Sequence, residues 1–107
     1  MIARVWRGAT LGEDADAYAA YIEESAMQPA RELPGVRGTL VLRRLHAGYA
    51  EFETILLFDS MDDVKAFAGD DLGQAVFFPE DDRYLVERDL EVGHFEADVQ
   101  VQGPGTG

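Results

Sequence analysis

The sequence predicts a single α+β domain with the order β-α-β-β-α-β. Three observations carry this. Four segments alternate their side chains with period two, two stretches between them have helical periodicity, and a short glycine-containing turn joins the middle pair of strands. No internal repeat or long linker divides the 107 residues.

The first strand is "IARVWRG", Ile2 to Gly8. Ile2, Arg4 and Trp6 share one face, and Ala3, Val5 and Arg7 share the other. A helix is expected from about Glu13 to Met27, with Ala15, Tyr18, Ala19, Ile22 and Ala26 on its apolar stripe. Glu13, Asp14 and Asp16 suit its positive N-terminal end, and Pro29 is expected to end or kink it. "VRGTLVLRRL" (Val36 to Leu45) and "AEFETILLF" (Ala50 to Phe58) form a hairpin across "HAGY". Phe52, Thr54, Leu56 and Phe58 take one face of the third strand, and Glu53, Ile55 and Leu57 the other. Ser60 and Asp63 open a second helix that buries Val64 and Phe67 and stops at Gly69. A short helical piece is expected around Asp71 to Val76, and another turn at Pro79 to Asp82. "EVGHFEADV" (Glu91 to Val99) is the last strand, with His94 and Glu96 on one face. Residues 100–107 read as a disordered tail.

This order is the ferredoxin-like unit, an antiparallel four-stranded sheet with both helices on one face. The strands carry apolar residues on both faces, so the uncovered face predicts a partner, and a face-to-face homodimer is expected.

The formal charge of −12 disfavours nucleic-acid phosphates and anionic membrane surfaces, and no basic stripe overrides it. The absence of cysteine removes disulfides, thiolate zinc sites and cysteine nucleophiles. No apolar run is long enough to span a membrane, and the start lacks the pattern of a signal peptide, so a cytoplasmic location is expected.

Together "MIARVWRG", "LPGVRGTLVLRR", "AEFETILLFDSMDDVKAFAGDD" and "AVFFPEDDRYLVERDLEVGHFE" resemble the antibiotic biosynthesis monooxygenase superfamily, over Met1 to about Val99. The resemblance implies a dimeric α+β barrel. It also implies, for some members, oxygenation of aromatic polyketides or hydroquinones without metal or flavin. The haem-degrading branch uses an Asn on the first strand, a Trp at the end of the third and a His after the second helix. The matching places here are Trp6, Phe58 and the region 74–78, which hold none of those residues. Haem degradation is therefore not the expectation.

Cofactor-free oxygenation asks for one base, a cation and aromatic walls, because a substrate anion must form, be stabilised and be kept dry. His94 is the candidate base, or else a partly buried histidine bonded across the sheet. Arg4 is the candidate oxyanion holder, or else an ion-pair partner of Glu53 or Glu96. Trp6, Tyr18, Phe58, Phe67, Phe77 and Tyr84 are the candidate walls for a small aromatic molecule, or else plain core. The acids Glu80, Asp81 and Asp82 lack the spacing of a calcium loop and read as a solvated helical turn, so neither metal nor cofactor is expected. The competing reading is a ligand-binding or interaction dimer without chemistry.

Overall fold

The computed structural model describes residues 1–101 and 103. Most of the expectation for the tail therefore lies outside the described residues. Strand β1 (Ile2–Leu11) runs through a 3-10 turn (Gly12–Asp14) into helix α1 (Ala15–Ile22), a π-helical segment (Glu23–Met27) and α2 (Gln28–Arg31). Then come β2 (Val36–Leu45), β3 (Tyr49–Phe58), α3 (Met61–Ala68), α4 (Asp81–Tyr84), β4 (Leu85–Arg88) and β5 (Gly93–Glu96).

The sheet is antiparallel, and β1 is its centre. β3 lies on one side of β1, with β2 beyond it. The other edge of β1 is shared. Gly8, Ala9 and Thr10 pair with β4, and Ile2 to Val5 pair with β5. The fold class holds, but the final strand expected at Glu91–Val99 shortens to β5 and an additional short strand, β4, precedes it, giving five strands. Opposite Trp6 and Arg7 the returning chain leaves the ladder. There the Asp89 N–H donates to the Arg7 carbonyl, and the Trp6 indole N–H donates to the Asp89 carbonyl at 2.8 Å. Gly8 is part of this arrangement, because a Cβ there would lie 2.4 Å from the Trp6 ring.

Pro29 does not end the first helical run, which continues to Arg31. Proline lacks an N–H, and it sits in the first turn of α2, where that donor is not needed. The widened segment before it carries a five-residue hydrogen bond, from Gln28 N–H to the Glu23 carbonyl. In α3 the Ser60 hydroxyl accepts from the Asp63 N–H at 3.3 Å, and Gly69 closes the helix with φ 82°. The helix expected at Asp71–Val76 is absent. Gln74 instead bridges Glu91, Ala75 N–H donates to the Leu90 carbonyl, and Val92 N–H donates to the Gly73 carbonyl. An extended partner thus satisfies these backbone groups in place of a helix.

Along β3, even-numbered residues are buried beneath the helices and odd-numbered ones are more open. Ala15, Tyr18, Ile22, Ala50, Phe52 and Leu85 form one core cluster. Ala26, Met27, Ala30, Leu56, Phe58 and Val64 form a second. The far face of the sheet carries no helix. Leu40 and Leu42 are each 47% exposed there, and Phe95 is 57% exposed.

Candidate functional site

The register of β1 sets the site. Arg4 lies between Leu56 on β3 and His94 on β5, so it points under the helices, where it is 4% exposed. Its guanidinium donates to the carbonyls of Leu72 and Gln74, each at 2.8 Å. The turn at residues 72–74 thus becomes its backbone cradle. Nη1 also lies 3.0 Å from His94 Nε2. Guanidinium can only donate, so Nε2 must be the acceptor and the ring is neutral, with its proton on Nδ1. Burial and the charge of Arg4 both lower the His94 pKa. Arg4 forms no ion pair with a carboxylate among the described residues. Of the two partners considered, Glu53 sits on the other face of the sheet and Glu96 does not reach it. Burial lowers the Arg4 pKa too, as expected for a cation without a counter-charge.

Beside Arg4 is a cavity of about 60 Å³, walled by Trp6, Phe67, Phe77 and Phe78 together with Ile22, Met27, Leu56 and Val76. Phe77 meets Trp6 edge-on, with ring centroids 6.3 Å apart, and Arg88 covers its other side at 4.9 Å. A benzene-sized guest needs roughly 150 Å³, so an aromatic ligand requires this cavity to widen.

Of the candidates read from sequence, Arg4, Trp6, Tyr18, Phe67 and Phe77 come together on this wall. Three do not. Phe58 is fully buried in the second cluster, 5.8 Å from the Phe67 ring, because its register opposite Ile2 puts it at the far end of the sheet. Tyr84 packs at a tilt against Tyr18 and Tyr21, with ring centroids 5.7 Å from each, behind the wall. His94 stands behind Arg4 and holds it by the ring nitrogen a base would use.

One wall residue contradicts the expectation of solvated acids. Glu80 and Asp82 are exposed and pair with Arg83 (3.4 Å) and Arg88 (2.7 Å). Asp81, between them, is 3% exposed. Its Oδ2 accepts from the Phe78 N–H at 2.6 Å, and its Oδ1 has no partner among the described residues. Burial pushes its carboxyl pKa up, partly opposed by the Phe78 N–H and by Arg88. Burial and the neighbouring Asp81 charge also push the Tyr18 phenol well above its ordinary range, so Tyr18 is a neutral donor. No local period marked Asp81, since α4 spans only Asp81–Tyr84 and Leu85 already belongs to β4.

The fold and cavity define a class: a ferredoxin-like α+β domain with a small, aromatic-walled pocket between sheet and helices. No protein-family model and no curated protein matches the chain. Solved structures do. A Deinococcus radiodurans protein described as a "putative antibiotic biosynthesis monooxygenase" matches with TM-score 0.66 at 17% identity, over 98% of this chain and 100% of that one. A Bacillus cereus protein of the same description matches with TM-score 0.64 at 11% identity, over 94% and 97%. The haem degrader MhuD of Mycobacterium tuberculosis, with two haems bound in its active site, matches with TM-score 0.57 at 14% identity, over 95% and 100%. The chain therefore has the fold of the antibiotic biosynthesis monooxygenases, as its sequence pattern led us to expect.

Proposed function

We propose that the protein is a cofactor-independent monooxygenase of the antibiotic biosynthesis monooxygenase family, acting in the cytoplasm as a homodimer on an electron-rich aromatic or quinol. The observation that carries this reading is Arg4, a buried guanidinium without a carboxylate partner among the described residues, on the wall of an aromatic-lined cavity. Such a cation favours a bound anion.

Dioxygen is a triplet and reacts slowly with closed-shell molecules, whereas an enolate or phenolate can pass it one electron. The wall formed by Trp6, Phe67 and Phe77 excludes water, Arg4 stabilises the anion, and His94 holds Arg4 in place. The Tyr18 hydroxyl is a neutral donor beside the ring. The electrons balance without an added reductant. When an anthrone-type CH₂ becomes a carbonyl, one oxygen atom enters the substrate and the other leaves as water with the two hydrogens of that carbon.

The homodimer rests on the apolar open face, where Leu40, Leu42 and Phe95 are exposed. Haem chemistry is less well supported. His94 is engaged with Arg4, and His46 stacks on Tyr49 at 4.3 Å near the hairpin turn, so neither imidazole stands on the cavity wall.

The test is oxygen uptake by the purified protein with anthrones and hydroquinones, using ¹⁸O₂. The expected result is one O₂ consumed per anthrone, with one labelled atom in the product. No consumption above the protein-free rate across the panel would leave the ligand-binding dimer as the better reading.

A further inference from the structure

Several surface carboxylates of this molecule, Glu51 and Asp82 among them, have cationic partners and the rest face water, but Asp81 is neither on the surface nor fully satisfied. Its Oδ1 is the buried side-chain polar atom without a hydrogen-bond partner among the described residues, and its side chain belongs to the cavity wall. Leaving a carboxylate oxygen buried and unbonded costs the desolvation of that oxygen with no bond in return. The backbone does not require this arrangement, since Oδ2 alone engages the Phe78 N–H. The cavity also contains Arg4, which does not reach Asp81 as an ion pair. One wall therefore offers a lone acceptor and a lone cation at separate points.

We propose that Asp81 is the proton acceptor of this cavity, its Oδ1 receiving the acidic O–H of a hydroxylated aromatic ligand whose second oxygen faces Arg4. This deepens the oxygenase reading and rests on it for the chemical step. In that step the ligand O–H bond breaks, the proton goes to Asp81 Oδ1, and the electron pair stays on the ligand oxygen as phenolate or enolate. The ligand class is an aromatic with one hydroxyl donor and one further oxygen. His94 is then a positioning residue for Arg4, since its Nε2 lone pair is already occupied.

The groups around Asp81 are Arg88 and Asp82, Tyr18 on α1 and the Phe78 N–H. With the Asp81 carboxyl raised, ligand binding weakens on acidification from a higher pH than an ordinary aspartate would give.

Trp6 is the only tryptophan in the chain and lies on the wall, so its fluorescence reports occupancy. The probes are 4-nitrophenol, which has both oxygen functions and a visible phenolate band, and 4-nitroanisole, which lacks the hydroxyl. The expected result is saturable quenching of Trp6 by 4-nitrophenol in the full-length protein. The dissociation constant should rise about tenfold or more in Asp81→Ala, as for a lost hydrogen bond to a charged group. 4-Nitroanisole should bind weakly and equally to both. Asp81→Asn retains the bond to Phe78 and should melt no lower than the wild type at pH 7. It should bind 4-nitrophenol with an affinity independent of pH between about 4 and 6, below the ionisation of the phenol itself, and should not consume oxygen with a hydroxylated anthrone. Equal affinity of wild type and both variants for 4-nitrophenol would overturn the proposal, as would 4-nitroanisole binding as tightly as the phenol, or no quenching at all. If the wild type binds the phenol through Asp81 yet consumes no oxygen, the oxygenase reading fails and the Asp81 site stands.

Discussion

The two faces of one sheet treat charge in opposite ways. Under the helices, Arg4 and Asp81 are both nearly inaccessible and neither has an ion-pair partner among the described residues, while the apolar groups around them are packed. On the open face near the hairpin turn, Glu51 gathers Arg7, Arg44 (2.9 Å) and His46 (3.0 Å), while apolar residues such as Leu40 and Leu42 stay in water. Exposed ion pairs contribute little to stability, and exposed leucines favour a covering partner. Buried, unpaired charges lower stability and persist where a ligand supplies the missing partner. This contrast supports the proposed ligand site under the helices and the proposed dimer contact on the open face.

The largest test of that contrast is Arg4→Met. It fills similar space but leaves the Leu72 and Gln74 carbonyls without their donor. The expected loss is about 3 kcal/mol by urea unfolding, together with loss of oxygen uptake. Unchanged stability would mean that the 72–74 segment is held by its bridge to Glu91 alone. A smaller effect on folding, with a large one on assembly, is expected for Leu40→Glu. Stability of the monomer should stay within about 0.5 kcal/mol, while sedimentation shifts from dimer to monomer. A wild-type monomer at micromolar concentration would remove the homodimer.

The smallest effect belongs to Glu51→Gln. Hydrogen bonds from His46, Arg44 and Arg7 hold the Glu51 carboxyl down at about 2. Its folded pKa is depressed, so the stability it contributes is present above the ordinary value of 4.5 and is lost as pH falls towards 2. The variant should show a flatter melting-temperature profile across that window and little difference at pH 7, as expected of a solvent-screened cluster.

Much of this architecture was legible in the sequence. β2 has the bounds read from its alternation, and β3 differs from its reading by one residue. The Ser60 cap and the Gly69 stop are local chemistry and stand where expected. The Ile2, Arg4, Trp6 face and the Phe52 to Phe58 face follow from period two alone. Where the reading failed, the cause was non-local. The segment Asp71–Val76 forms a turn and a single bridge in place of a helix because residues 90–92 offer it backbone partners. The extra strand β4 forms because a ten-residue β1 has room for two short partners on one edge.

The sequence alone determined which side chains share a face, where α3 begins and stops, and that Arg4 and His94 lie on one side of the sheet, because these follow from bond geometry and capping chemistry local to the chain. Tertiary structure decided that His94 is engaged with Arg4, that Phe58 and Tyr84 stand away from the cavity, and that Asp81 is enclosed while Glu80 and Asp82 are not. Those outcomes depend on which distant surface each side chain meets when the layers close. No local period records that meeting.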